Sequence, residues 1–239
     1  MSDRRLRRSV NKAILSLKYP AFSDSLKAYE YDIIPSHTVD SFIEYERDHA
    51  DMQCLILDDT AFVLKGCERI IENLSDRYHI EICGDNICGE YPHNIALNAL
   101  ILHHKLIGNL RYLDRKLLEY CKNWGYEMIH VNQGYTKCSC AVAGEDAIIT
   151  ADRGVTRSLK ETDIDVLLIE EGRVALEGAS HGFIGGASGY IDHRLYFTGN
   201  IKAHPDYLRI RRFCEQHHTN VIVLNEELPL TDIGGIIFC

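Results

Sequence analysis

The chain lacks the features that mark membrane, exported and nucleic-acid-binding proteins. No uncharged apolar run approaches the roughly 18 residues that a membrane-spanning helix needs. The apolar stretch after Arg8 is interrupted by Ser16 and Lys18, and no small-residue cleavage site follows it, so we expect no export signal. Basic residues are outnumbered, with 26 Lys and Arg against 35 Asp and Glu and a net charge of −9. This balance argues against nucleic acid as the partner, and the missing apolar run argues against a membrane.

The sequence also lacks the cysteine spacing of a structural zinc site. Its nine cysteines are an odd number, and the two close pairs are Cys83/Cys88 and Cys138/Cys140. Neither pair has the zinc-site spacing, and no glycine pattern of the Walker or Rossmann type is present. We therefore predict reduced, buried thiols in a cytoplasmic protein, with no metal or cofactor.

What the sequence does contain is a repeated unit of an apolar hairpin, a helix and an outer strand. The hairpins are predicted around Asp58, around His103–Lys105, around Gly144–Asp146 and around Asp192, each followed by a helical pattern and an apolar segment. The anchors at the starts of the first strands, 43 to 49 residues apart, are Asp51, Asn94, Cys138, Phe183 and Asp232. The spacing predicts an α/β protein built from five units of about 45 residues.

The five units account for the whole chain as a single ring-shaped domain. Their predicted bounds are approximately 49–90, 91–134, 135–178, 181–228, and 229–239 completed by 1–48. In the split unit the C-terminal segment Asp232–Cys239 supplies the inner strand. The N-terminus is expected to supply a helix over Arg4–Lys18 and an outer strand over Lys27–Ile34. Pairing the two termini closes the ring and removes exposed sheet edges.

Such a ring resembles the pentein fold, the five-fold α/β propeller of the guanidino-group-modifying enzymes. These include arginine and agmatine deiminases, dimethylarginine dimethylaminohydrolase and amidinotransferases, and non-catalytic ribosome anti-association factors have a similar ring. The resemblance covers nearly the whole chain. The segments 91–98 (YPHNIALN), 134–138 (GYTKC) and 182–189 (GFIGGASG) are most similar to a bacterial branch of the superfamily, and that closer resemblance implies no particular activity.

In a ring of this kind the starts of the first strands converge on a central channel. Those positions are rich in groups that bind or titrate, and we expect a small-molecule ligand there. The candidate ligand-binding residues are His49, Asn94, Lys137, Cys138 and Asp232.

The resemblance also implies a catalytic set. Segment 234–239 (GGIIFC) is similar to the C-terminal ends of agmatine deiminases, which places Cys239 at the nucleophile position. His181 falls at the general acid/base position, and Asp51 or Asp232 would orient the substrate. Attack on a guanidine-type C–N bond requires a thiolate and carboxylates that grip the planar N–H donors. The implied activity is hydrolase or transferase chemistry through a covalent cysteine intermediate.

Two departures keep a non-catalytic alternative open, in which the ring only binds a small molecule or a protein partner. Where the enzymes have a guanidinium-binding acid, this chain has Lys137, which would repel a guanidinium. The α-carboxylate of the terminal Cys239 would also raise the pKa of its own thiol. Cys138 and Cys140 are alternative channel thiols. The sequence leaves the enzymatic status, the substrate and the oligomeric state open.

Overall fold

Five three-stranded sheets make up the protein in the computed structural model, which describes residues 11–84 and 89–239. The strands are β1 (Lys12–Leu15), β2 (Asp32–Pro35), β3 (Cys54–Leu57), β4 (Thr60–Leu64), β5 (His79–Cys83), β6 (Leu100–Leu102), β7 (Lys105–Gly108), β8 (Glu127–His130), β9 (Cys140–Gly144), β10 (Ala147–Thr150), β11 (Asp165–Leu168), β12 (Ser188–Ile191), β13 (Arg194–Phe197), β14 (Asn220–Val223) and β15 (Ile237–Phe238). The helices are α1 (Pro20–Ala28), α2 (Glu68–Leu74), α3 (Arg115–Asn123), α4 (Thr136–Ser139), α5 (Arg153–Ser158) and α6 (Tyr207–Gln216), and three short 3₁₀ turns are Glu44–Glu46, Ala50–Met52 and Ile201–Ala203.

All five sheets repeat one arrangement. The first strand is antiparallel to the second, and the third is parallel to the second and follows it through a helix. The second strands are buried on both faces, which explains their continuous apolar runs, as in β4 and β10. The turns fit the predicted hairpins, since Asp192 and His193 both have positive φ, as a two-residue turn of type I′ requires. The predicted fivefold α/β architecture is confirmed.

The ring closes through the two ends of the chain, although one predicted helix there is wrong. β1 pairs antiparallel with β15 at the C-terminus and parallel with β2. The described part of the predicted helix Arg4–Lys18 contains the strand β1 and no helix, because Ala13, Ile14 and Leu15 are buried together inside this sheet. The helix of the unit is instead α1, which begins at Pro20, a residue suited to the first turn.

The other predicted elements at the termini are shorter than expected. The outer strand predicted over Lys27–Ile34 is β2, because α1 continues to Ala28. The C-terminal strand predicted from Asp232 is confined to β15, since Gly234 and Gly235 take positive φ values that interrupt extended backbone. Arg4 to Arg8 and Cys88 lie outside the described residues.

The first strands of the five sheets surround a central channel of about 370 Å³. All five contribute to its wall, which is mainly apolar; examples are Leu55 on β3, Ile101 on β6, Val142 on β9, Tyr190 on β12 and Ile237 on β15. The fold therefore brings together the positions at which the first strands begin, as the repeat predicts. In the described residues no helix is both long and apolar enough to cross a membrane.

Candidate functional site

A cluster of buried polar side chains lies where the first strands begin. It draws on four of the five units, and no member is more than 4% exposed: His49, Asp51, Asn98, Cys138 and Asp232. Burying polar groups is costly unless they bond to one another. Their mutual contacts therefore determine what this polar cluster can do.

The thiol of Cys138 is held by two neighbours in the polar cluster. Its Sγ donates to Asp51 Oδ2 at 3.0 Å and accepts from Asn98 Nδ2 at 3.0 Å. Asn98 Oδ1 in turn accepts from the backbone N–H groups of Lys137 (2.9 Å) and Cys138 (3.3 Å). These two residues lie on the helical turn α4, and not on the predicted strand, which begins at Cys140.

Asp51 carries an acceptor without a partner. Its Oδ2 accepts the Cys138 thiol, whereas its buried Oδ1 has no hydrogen bond among the described residues. Burial raises the pKa of Asp51 to about 6, while the charges of His49 and Lys137 act in the opposite direction. Burial and the charge of Asp51 raise the pKa of the Cys138 thiol well above its ordinary value. At neutral pH the thiol therefore keeps its proton.

Asp232 is fixed by backbone donors. Its Oδ2 accepts from Phe183 N at 2.8 Å, its Oδ1 accepts from Gly234 N at 2.9 Å, and His49 Nε2 lies 4.0 Å from Oδ1. A Cβ on Gly186 would come within 2.0 Å of Asp232 Oδ1. The glycine-rich segment thus lets the backbone pack closely against this carboxylate.

Asn94, a predicted ligand-binding residue, lies in an adjoining network. Its Nδ2 donates to Glu46 Oε2 at 2.9 Å and to the Tyr135 hydroxyl at 3.0 Å. Burial raises the pKa of Glu46, and the interactions with Tyr135, His49 and Asn94 partly offset this effect. Asn94 itself makes no direct hydrogen bond to the polar cluster within 11–84 and 89–239.

Cys239 has quite different surroundings. It is 7% exposed, its backbone pairs with that of Lys12, and it packs in the apolar core with residues such as Ile14 and Cys54. Burial raises the pKa of its thiol to about 11, and the charges of Lys12 and Arg77 act against this. Burial, and not the terminal carboxylate, is therefore the main cause of the raised pKa.

His181 lies in a different part of the molecule. Its Nε2 is 3.7 Å from Glu171 Oε1, and it lines a second cavity of about 440 Å³ beside Arg173 and His204. Its described contacts include none with Cys239. The expected pairing of Cys239 with His181 is therefore not formed, because one side chain is packed in the closing sheet and the other faces a separate cavity.

Lys137 and Asp51 line the channel at the end where the first strands begin, which we call its inner end, and His103 and Glu145 line it at the hairpin turns. Lys137 is half-buried, and its ammonium makes no hydrogen bond in the described part of the chain, although its charge acts on Asp51 and Cys140. Cys140, the other alternative thiol, is buried, and burial raises its pKa to about 11.

Asn98 is the member of the polar cluster that sequence reasoning missed. It bonds Cys138, the Lys137 backbone and the Asp51 carbonyl oxygen, the last at 3.3 Å. The one available signal was its place at the end of the quoted segment 91–98, four residues after the anchor Asn94.

The comparisons with known proteins agree with this architecture. A family model described as a family of unknown function (DUF6873) matches residues 14–237. The chain belongs to this family. No curated protein matches it.

Solved structures of guanidino-group-modifying enzymes have the same fold. A cysteine-to-serine variant of DDAH from Pseudomonas aeruginosa, in complex with citrulline, has a TM-score of 0.57 at 12% identity, covering 90% of this chain and 92% of that chain. Agmatine deiminase from C. jejuni has a TM-score of 0.52 at 8% identity, covering 90% and 87%. The DUF6873 chain therefore has the pentein fold. At sequence identities of 12% and 8%, the similarity shows the fold and not the activity.

Proposed function

We propose that this pentein ring binds a small molecule in its central channel, with an apolar body along the wall and a negatively charged end at Lys137. The observation that carries the proposal is the composition of the channel, which is apolar along all five first strands and ends at a lysine. A volume of about 370 Å³ is typical of small-molecule sites, in which a few polar groups orient an otherwise apolar ligand.

The charges along the channel support an anionic group at its inner end. Among the described residues that line the cavity, Lys137 is the one basic side chain, histidine aside. Asp51 also lines this end, but its Oδ2 already accepts the Cys138 thiol, which leaves the Lys137 ammonium as a charged donor for a ligand. The Lys137 ammonium has no hydrogen-bond partner among the described residues, and in a partly apolar site it therefore favours an anion that can accept from it.

A second candidate function is thiol chemistry on a guanidine-type C–N bond, as a hydrolase or transferase. One observation favours it: a thiol, an imidazole and a carboxylate, on Cys138, His49 and Asp51, lie within 4.8 Å of one another. These are the group types of a cysteine nucleophile with its base and orienting acid. The raised pKa of Cys138 and the charge of Lys137 both oppose this candidate.

Three probes of one chain length separate the candidates. Octanoate, octanol and octylguanidinium share an apolar body and differ in the charge of the head, and calorimetric titration measures their affinity for the full chain. Anion binding predicts that octanoate binds at least about tenfold more tightly than octanol, equivalent to about 1.4 kcal/mol. If octylguanidinium bound more tightly than octanoate, the proposed anion binding would be rejected in favour of the guanidine candidate.

The matched variants are Lys137→Met and Lys122→Met. Removal of the Lys137 ammonium should abolish the preference for octanoate while leaving octanol binding unchanged. Lys122 is an exposed residue of α3, so its substitution should change neither affinity. An undiminished preference for octanoate in K137M would overturn the assignment of the anionic end.

Labelling with a haloacetamidine, followed by mass spectrometry, tests the guanidine candidate separately. That candidate requires selective modification of Cys138, with protection by octylguanidinium. Slow and unselective modification of the cysteines would reject it without affecting the proposed anion binding.

A further inference from the structure

Three side chains of the polar cluster offer metal-ligand atoms at one point. His49 offers a ring nitrogen, Asp51 a carboxylate oxygen and Cys138 its sulfur, and these atoms all lie within 4.8 Å of one another. All three residues are buried, with exposures of 4%, 1% and 2%. They come from two parts of the chain about 90 residues apart, so their convergence is a property of the fold.

The donor types select a class of ion. Imidazole nitrogen, carboxylate oxygen and thiolate sulfur together suit Zn²⁺ and neighbouring divalent transition metals, whereas Ca²⁺ and Mg²⁺ prefer oxygen donors alone. Bond lengths of about 2.0 to 2.3 Å place two ligands of one tetrahedral ion roughly 3.3 to 3.7 Å apart. The three atoms of this group lie within 4.8 Å of one another, so side-chain movements of about 1 Å would bring them to the spacing of one such ion.

The unpartnered oxygen of Asp51 is independent evidence for a ligand. Its Oδ1 is buried and accepts no hydrogen bond in the described residues, which is a costly state for a carboxylate oxygen. The side chain itself is 1% exposed, so bulk water does not satisfy it. A cation between Asp51 and its neighbours would supply the missing partner. The charges also match, since one carboxylate and one thiolate neutralise a divalent ion.

The surroundings fit the outer shell of a metal centre. Asn98 donates an N–H to the Cys138 sulfur at 3.0 Å, and Asp232 lies 4.0 Å from His49 Nε2. Groups of these kinds orient ligating sulfur and imidazole in metal sites. Asn98 and Asp232 are themselves fixed by backbone N–H donors, so the outer shell is held in place.

We propose that His49, Asp51 and Cys138 bind one divalent transition-metal ion, with Zn²⁺ as the best match, and that a fourth coordination position stays open. On binding, the S–H bond of Cys138 breaks, its proton leaves to solvent, and the sulfur lone pair forms the bond to the metal. No electron is transferred. Three protein ligands with an open position are typical of zinc sites that bind a further molecule. This proposal does not depend on anion binding in the channel.

Cobalt titration of the full chain tests the proposal directly. The purified protein is treated with a chelator, dialysed, and titrated with Co²⁺ alone while the absorption spectrum is recorded. We expect one Co²⁺ per chain, a thiolate-to-cobalt charge-transfer band, and its loss when one equivalent of Zn²⁺ is added. Absence of stoichiometric binding would overturn the proposal.

Variants assign the ligands. Cys138→Ser should remove the charge-transfer band and weaken Co²⁺ binding at least 100-fold, and Asp51→Asn should weaken binding by at least tenfold. Cys239→Ser, which alters a buried cysteine outside the polar cluster, should leave both unchanged. A band that persists in C138S would contradict the assignment.

A second measurement covers the case in which C138S does not fold. Crystals of the unaltered protein soaked in Zn²⁺ should give an anomalous peak at the zinc edge between His49, Asp51 and Cys138. A peak only at surface histidines would reject the site.

Discussion

Two buried cysteines of this protein lie in contrasting surroundings. Cys138 is bonded to Asp51 and Asn98 inside the polar cluster, whereas Cys239 packs in apolar core and has no side-chain hydrogen bond among the described residues. Both thiols have raised pKa values, mainly through burial. The chemistry available to each depends on its neighbours, and only Cys138 has a carboxylate, an amide and an imidazole within reach.

The contrast explains why a C-terminal motif is a weak guide to the site. Segment 234–239 places two glycines before Cys239, yet the glycines pack against His49 and Asp51, and the cysteine is packed in the closing sheet. The partner of Cys138, Asp51, is 87 residues away in sequence. The polar surroundings of Cys138 are therefore created by proximity in the fold and not by a local sequence motif.

The strongest way to break the polar cluster is to crowd the backbone around it. In Gly185→Ala a Cβ would lie 2.2 Å from the Lys137 carbonyl oxygen and 2.6 Å from that of Cys138. Backbone atoms cannot move aside cheaply, so we expect a loss of more than about 3 kcal/mol in the free energy of unfolding. Urea unfolding measures it.

The control is Gly172→Ala, where a Cβ meets no atom within 4 Å and only the positive φ opposes the change. Its cost should be about 1 kcal/mol. Equal losses in the two variants would mean that the backbone does not pack closely around the polar cluster.

Removal of the Asp232 carboxylate should have the next largest effect. Asp232→Ala leaves the backbone N–H groups of Phe183 and Gly234 without their acceptor. We expect a loss of about 2 to 3 kcal/mol in thermal or urea unfolding. Asp232→Asn keeps one carbonyl acceptor and should lose about half as much. An unchanged stability in D232A would contradict the role of this carboxylate in fixing the strand starts.

Serine substitution compares the two cysteines themselves. In Cys138→Ser the hydroxyl can still donate to Asp51 and accept from Asn98, so the cost in unfolding free energy should be below about 1 kcal/mol. In Cys239→Ser the hydroxyl enters apolar core, and we expect a loss of about 1 to 2 kcal/mol. Urea unfolding of the metal-free proteins measures both. The reverse order would show that the polar surroundings are assigned to the wrong cysteine.

The smallest expected effect is a pH dependence from Glu46, beside the polar cluster and near His49, Asp232 and Tyr135. Burial raises its pKa above the ordinary 4.5, so the folded state holds this proton to higher pH than the unfolded state. Stability from Glu46 is therefore present below about pH 4.5 and is lost as pH rises through the raised pKa. Glu46→Gln cannot titrate and should gain stability relative to the unaltered protein over that interval.

Urea unfolding of both proteins from pH 4 to pH 8 measures this difference. Because all other groups are shared, their titration largely cancels. A difference that does not vary with pH would show that Glu46 titrates normally in the folded protein.

Much of the fold could be predicted because each unit repeats the same apolar pattern. The buried second strands and the hairpin turns appear directly in the residues, as at β4 and at Asp192–His193. The pattern failed near the N-terminus, where Ala13–Leu15 is too short a run to distinguish a helix from a strand. This segment is a strand because it pairs with β15 when the ring closes. A local sequence pattern cannot predict a pairing with the other end of the chain.

The site was predictable only in part. The anchors Asp51 and Cys138 could be aligned from the repeat, and the structure brings their side chains within 3.0 Å. Asn98 was missed, because its contacts with Cys138 depend on the irregular segment before β6 and on the helical turn α4. The role of Lys137 depends on which side chains face the channel, a property that spacing alone does not determine.

A crystal structure of the full chain with octanoate is the sharpest check of our main claim, that the inner end of the channel is the functional site. We expect the alkyl chain between the five first strands, with a carboxylate oxygen within about 3 Å of Lys137 Nζ. Octanoate in the cavity beside His181, with the central channel free of it, would contradict the claim.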